Sequence, residues 1–452
     1  MEPPPPDYEP PPPSVWLDPT SPRVALRQAA ALVLVVACTA GFAIGFRAAA
    51  TLVYERLYGA EDIVSAFEKL SPVLRFLTVT AGAGLAGVVG VLLTKPGGGQ
   101  GVGGVMEVVA LGTGRVSMRA SLQKAAGCWI GIVTGSSVGR EGPIIQFGGA
   151  MAGAIATWGG LSSNRTRVLV AAGTAAGFTA AYNTPFAAVL FVLEIVTGVI
   201  TVDVVLATVL AAALSTAITR AAVGGGPIYG QRAFTLGTDR ELLAYALLGV
   251  LAGLAGAAFS ALLATGERAF TRLPVRQPFT AAIGGALVGA IALWLPQVAG
   301  NGFEVVNRIL DGHVGITMMI VLFGIKALAT SISVGSGTPG GAFTPSLFLG
   351  AALGGTFGEL LARVAPTGIG APGAYALVGM AALCAATTHA PLMAAVLVFE
   401  LSGDYSVVLP LLIATGIATV VSRRARPMSV YMDELARRGI GWDMTWNGRQ
   451  IR

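Results

Sequence analysis

The sequence predicts an all-α polytopic membrane protein built from two related halves, and three observations carry that prediction. Of its 452 residues, 54% are hydrophobic and only 12% are charged, about half the roughly 25% charged share of a soluble domain. A chain so long and so poor in charge cannot cover a water-facing surface. Mean hydropathy is +0.73, and several apolar stretches approach or exceed the roughly 18 residues that cross a bilayer as a helix. The third observation is an ordered set of Lys, Gly, Pro and Glu matches between the halves, set out below. Glycine is abundant at 62 residues; in membrane helices it permits close backbone approach and marks breaks, which suits a transporter or channel.

Taken in order, residues 1–22 form a disordered, Pro-rich cytoplasmic tail, with eight prolines among the first thirteen residues and no basic n-region of a secretory signal. The first repeat spans 23–223. It opens with an apolar run from about Gln28 to Val53, followed by further runs at roughly 73–94, 167–180 and 185–214. A linker over 224–239 precedes the second repeat, 240–425, with runs at 241–265, 279–299, 314–332, 345–364, 369–387 and 391–421; a C-terminal segment, 426–452, closes the chain. Arg23 and Arg27 precede the first run, while Arg423, Arg424, Arg426, Arg437 and Arg438 follow the last. Basic residues collect on the cytoplasmic side, so both termini are expected there. The 25 arginines against four lysines point to a GC-rich bacterial genome, and the expected location is a bacterial inner membrane.

Glycine-rich breaks interrupt the pattern at 97–104, 135–142 and 335–341. Broken segments persist at membrane depth only where they are buried or line a polar cavity, so they are the first place to seek a site. At an offset of 202, Lys124, Gly135, Gly139 and Pro143 align with Lys326, Gly337, Gly341 and Pro345; at an offset of 206, Pro185 and Glu194 align with Pro391 and Glu400. In each half a Gly-rich break runs into G-x-[E/F]-x-P and then an apolar stretch, which is how a half-helix begins inside a membrane. Proline suits a first helical turn, and the free amides there create positive potential. Two such N-termini, near Gly142 and near Phe343, make an anion site. Glu141 is the sharpest residue, because a carboxylate there needs a partner or a task. It mimics and blocks an anion when charged and releases the site when protonated; Arg140 beside it either pairs with it or faces water.

GREGP (139–143), GGAFTP (340–345), NTPFAAVLFVLE (183–194) and HAPLMAAVLVFELSGDY (389–405) together closely resemble the CLC chloride channel and transporter family, over nearly everything from about residue 28 to 436. The resemblance implies two inverted-topology repeats and a homodimer with one anion pathway per subunit. It makes Glu141 the outer gating glutamate, gives Gly142, Ala342 and Phe343 backbone amides that face the anion, and groups Arg140 with them. Tyr431, in RPMSVYMDEL, resembles the family's inner pathway tyrosine. The chain ends twenty-one residues beyond it, and the cytoplasmic regulatory domains of many eukaryotic members are expected to be missing, with no nucleotide partner.

Two departures qualify this. In GGGQGVGG, Gln100 stands where the chloride-type pattern has serine, beside Gly101, so the anion preference is open between chloride, nitrate and fluoride. Ile195 stands where proton-coupled members usually carry an inner glutamate, and it cannot carry a proton. The intact Glu141 favours chloride/proton exchange; Ile195 favours a passive, voltage-gated type of channel. Glu194 and Glu400 are expected to cap or pair structurally. No basic stripe with interleaved aromatics indicates nucleic acid. Cys38, Cys128 and Cys384 sit apart, giving no metal or disulfide framework. No Walker, triad or HExxH pattern marks an enzyme. No cofactor is implied beyond the transported anion and protons.

Overall fold

A computed structural model describes residues 21–91, 101–111, 116–198, 200–234, 238, 241–365, 368–437, 442–445 and 448–451 of the chain. The Pro-rich tail and Gln100 therefore lie outside the described residues. The first half contains α1 (Pro22–Val53), α2 (Ile63–Lys69), α3 (Pro72–Val91), α4 (Val102–Leu111), α5 (Met118–Val133), α6 (Glu141–Trp158), α7 (Ser163–Tyr182), α8 (Pro185–Phe191) and α9 (Val202–Val223). The second contains α10 (Glu241–Thr271), α11 (Phe279–Trp294), α12 (Phe303–Leu310), α13 (Ile316–Gly335), α14 (Phe343–Val364), α15 (Pro372–Thr388), α16 (Pro391–Ser402) and α17 (Val408–Ala425). After them come α18 (Val430–Arg437) and a two-stranded antiparallel hairpin, β1 (Trp442–Thr445) with β2 (Gly448–Ile451), the one pair of strands among the described residues.

Among the described residues, seven helices are long and apolar enough to cross a membrane. Two of the others are largely interior. Helix α15 is buried at every residue from Gly373 to Thr388; a helix apolar all round needs protein on every side. Its mate α7 is buried nearly as completely. Glycine makes their packing possible at two related contacts. A Cβ on Gly148 would stand 2.1 Å from the Gly173 carbonyl oxygen, and one on Gly350 would stand 2.3 Å from that of Gly379. The pairs α6/α7 and α14/α15 thus meet backbone to backbone at equivalent places.

The long apolar runs at 185–214 and 391–421 are each two helices. Both runs break at a left-handed glycine, Gly198 (φ 69°) in one and Gly403 (φ 69°) in the other. Helix α8 continues through a π-helical turn, Val192–Thr197, before its break. Helix α5, with Gln123 and Lys124 inside it, is absent from the apolar runs altogether; its buried Gln123 donates from Nε2 to the Val89 carbonyl at 3.1 Å.

Inversion of the repeats follows from two glutamates. Glu194 accepts from the amides of Leu392 (3.3 Å) and Met393 (2.7 Å) at the N-terminus of α16. Glu400, at the C-terminal end of α16, accepts from the amides of Phe186 (3.1 Å) and Ala187 (2.8 Å) at the N-terminus of α8. Each helix's trailing carboxylate caps the other's leading end, so α8 and α16 run antiparallel. The change of offset from 202 to 206 is one added helical turn, since α14 has 22 residues where α6 has 18.

Candidate functional site at two facing helix N-termini

Helices α6 and α14 begin at the same place in the molecule. The breaks before them are pinned by a two-way bridge, with Gly139 N–H donating to the Gly341 carbonyl at 2.7 Å and Gly341 N–H donating to that of Gly139 at 3.0 Å. The first turn of any helix has amides without intrahelical acceptors, so the bridge brings two sets of donors together. Ser137 ties the first break to helix α13: its amide donates to Ser333 Oγ at 3.2 Å, and its hydroxyl lies 2.9 Å from Thr330 Oγ1.

The Glu141 carboxylate occupies the α14 end of this site. Oε1 accepts from the Thr344 amide at 3.3 Å, and Oε2 accepts from the Thr344 hydroxyl at 2.7 Å. Glu141 is buried and belongs to none of the three ion pairs among the described residues. A buried carboxylate is tolerated where hydrogen-bond donors and positive helix ends meet it. Glycine is required around it: a Cβ on Gly139 would come within 2.2 Å of Oε1 and one on Gly341 within 2.8 Å, while one on Gly142 would meet nothing within 4 Å. Gly142 thus faces open space beside the carboxylate.

Below Thr344 runs an aromatic column. Phe343 is buried edge-on to Phe178 (5.7 Å, 83°) and Phe191 (6.5 Å, 83°); Tyr431 of α18 stands edge-on to Phe191 at 6.3 Å and 86°. The Tyr182 hydroxyl lies 2.8 Å from Thr344 Oγ1. Glu141, Gly142, Ala342, Phe343 and Tyr431 are therefore brought into one region, Ala342 as the N-cap of α14. Ile195 is buried in the π-helical turn after α8.

Arg140 does not pair with Glu141. Its guanidinium lies over the Phe303 ring, 5.2 Å from the centroid, on the far side of the α6 N-cap. The amide of Gly101 donates to Gln146 Oε1 of α6 at 2.6 Å, so a protein acceptor already holds it. Thr344, Tyr182 and Gln146 are the site residues that sequence reasoning missed. Thr344 follows Phe343 within GGAFTP, and Gln146 is a lone amide in an apolar helix; both signals were present. The paired lysines separate: Lys326 is buried on the carbonyls of Val298 and Gly300, each at 2.8 Å, whereas Lys124 lies beside Gly101.

Residues 82–423 match the family model described as voltage gated chloride channel. The chain belongs to the CLC family. Among its CLC relatives, a ClcB-like chloride channel protein of Ralstonia nicotianae is 37% identical over 367 residues, 80% of this chain and 86% of the relative. A voltage-gated ClC-type chloride channel ClcB of Citrobacter koseri is 33% identical over 405 residues, covering 87% of this chain and 95% of the relative. The crystal structure of a slow cyanobacterial Cl⁻/H⁺ antiporter superposes with a TM-score of 0.80 at 26% identity, over 91% of this chain and 97% of that one. A CLC-type fluoride/proton antiporter shares the fold, with a TM-score of 0.65. This chain is thus an integral membrane protein of a chloride transport family, with the CLC fold of two inverted repeats.

Proposed function

We propose that this protein exchanges chloride for protons across a bacterial inner membrane, through one pathway per subunit of a homodimer, with both termini cytoplasmic and Glu141 as gate. The observation that carries this reading is the Glu141 carboxylate resting on the amide and hydroxyl of Thr344. A carboxylate placed where helix N-termini attract an anion competes with that anion for the same donors. Protonation removes its charge and weakens its claim on those donors, so the anion takes the site while the carboxyl is protonated, and loss of the proton restores the block. Phe343 and Gly142 supply first-turn amides along the pathway, Tyr431 closes its inner end, and Gln100 sets anion preference, the neighbouring Gly101 amide being held by Gln146.

Ile195 supports a second reading, a passive chloride channel, because a buried apolar side chain stands where an inner proton carrier is expected. Reconstitution in liposomes separates the two. With a chloride gradient imposed and voltage clamped by a potassium ionophore, exchange drives protons uphill, and the drive disappears in Glu141→Ala. Chloride flux without proton movement assigns the channel. If chloride does not move, fluoride and nitrate fluxes test whether Gln100 has redirected selectivity.

A further inference from the structure

A cavity of about 220 Å³ opens at the C-terminal half of α1, lined by Arg47, Ala180, Ala181, Asn183, Thr219 and the 223–228 segment. That volume is several times what one water needs. A second, much smaller space, about 10 Å³, lies beside it against Arg47, Arg140, Ile144 and the same two alanines. Arg47 and Ala180–Ala181 border both, so the wide cavity narrows to a waist leading toward Arg140 and the start of α6. No acidic residue lines either space. Arg47 and Arg140 are in none of the ion pairs among the described residues. The one other arginine at the rim, Arg220, is committed to Asn183 Oδ1 at 3.2 Å. Glu304, buried behind Phe303, acts on Arg140 only through space.

Two features make this more than a basic surface. Thr219 is only 6% exposed and its hydroxyl has no hydrogen-bond partner, although it lines the cavity. A buried hydroxyl left unsatisfied is uncommon and calls for a ligand or water. The guanidiniums of Arg47 and Arg140 also face a shared space with no intervening carboxylate; like charges so placed repel, and an anion between them relieves both.

We propose that this cavity is an anion-capture site, separate from the helix N-termini: Arg47 and the Thr219 hydroxyl hold a small monovalent anion in the wide cavity, beside the narrow space that Arg140 borders. It rests on the anion-transport reading and adds a residue, Arg47, that the pathway motifs do not contain. In the proposed orientation it is the outer mouth.

The test measures chloride flux against chloride concentration on each face, in proteoliposomes sorted to one orientation. Arg47 is exposed at the end of a described helix, so Arg47→Gln is expected to fold. It should raise half-saturating outer chloride about three- to tenfold, the size of one net hydrogen-bond contact at an exposed side chain. Maximal rate and inner half-saturation should not change. Thr219→Val, which alters no charge, should raise the outer value about twofold, the lower end of the same range. An unchanged outer half-saturation in Arg47→Gln overturns the site. So does an Arg47→Gln effect that vanishes in high gluconate while Thr219→Val does nothing, because screening of that kind marks a diffuse field. If the wild-type protein moves no anion, the transport reading fails by itself, and crystals soaked in bromide decide the site. An anomalous peak between Arg47 and Thr219, absent in Arg47→Gln crystals, supports it, and a cavity empty of bromide overturns it.

Discussion

At the scale of single residues, the proposed exchange turns on a competition at Glu141 and Thr344, and three substitutions probe it. Glu141→Gln keeps the shape and leaves an oxygen for the Thr344 amide, but it carries neither charge nor exchangeable proton. Chloride flux should persist while coupled proton flux drops to background. Thr344→Val removes the 2.7 Å hydroxyl contact; a hydrogen bond to a charged group contributes about 1.5–3 kcal/mol. The resting carboxylate is then held less firmly, and chloride turnover should rise by about tenfold or more, with the proton-to-chloride ratio falling. Gly139→Ala acts on the same carboxylate from the other side. Its Cβ meets Oε1 at 2.2 Å, and the yielding partner is the free end of a flexible side chain rather than backbone. The expected result is a folded protein with its gate displaced and a proton-independent chloride leak. A variant that fails to elute as a monodisperse species would show instead that the bridge to Gly341 cannot absorb the methyl group.

At the scale of elements, reciprocal helix caps tie the two repeats together, and close glycine contacts join neighbouring helices within each. The reciprocal caps of α8 and α16 each place a carboxylate on two helix N-terminal amides, and an N-terminal cap contributes typically about 1 kcal/mol. Glu194→Gln and Glu400→Gln should therefore each lower thermal stability in detergent by a similar amount while leaving chloride flux close to wild type. That similarity is the diagnostic outcome, since a proton-carrying role for Glu194 would separate the two variants in the flux assay. Gly148→Ala and Gly350→Ala form another matched pair. Each methyl group meets a backbone carbonyl of the neighbouring helix, which cannot rotate away, and overpacking of this kind costs about 1–3 kcal/mol. The matched glutamates and glycines were visible in the sequence because the duplication repeats them at fixed offsets. The ends of α8 and α16 were not, since an apolar run shows no boundary where a left-handed glycine turns the chain without changing its hydropathy. Helix α5 escaped notice for the opposite reason: its polar residues lower the hydropathy of a segment that protein, not lipid, surrounds.

At the scale of the whole molecule, the two halves are complementary, and the site exists only where they meet. The family and its inverted architecture were legible in the sequence through GREGP and GGAFTP, each of which ends in a helix start. The partner of Glu141 was not legible, because Thr344 is brought to it by the bridge between Gly139 and Gly341, a contact across 202 residues that no local pattern encodes. Among the described residues, the groups beside the Glu141 carboxylate come from both repeats, Gly139 from the first and Gly341 and Thr344 from the second. If the proposed homodimer carries one such site in each subunit, the two sites should work independently. This leads to a prediction about assembly. In mixed dimers carrying one wild-type and one Glu141→Gln subunit, coupled proton flux should be half that of the wild-type dimer, with the mutant pathway adding an independent proton-free chloride flux. The measurement is paired chloride and proton flux from a tandem-linked dimer, compared with the sum of the two parent homodimers halved. Proton flux well below half would mean that one gate acts on the other across the interface, and the pathway would then be a property of the pair and not of the fold.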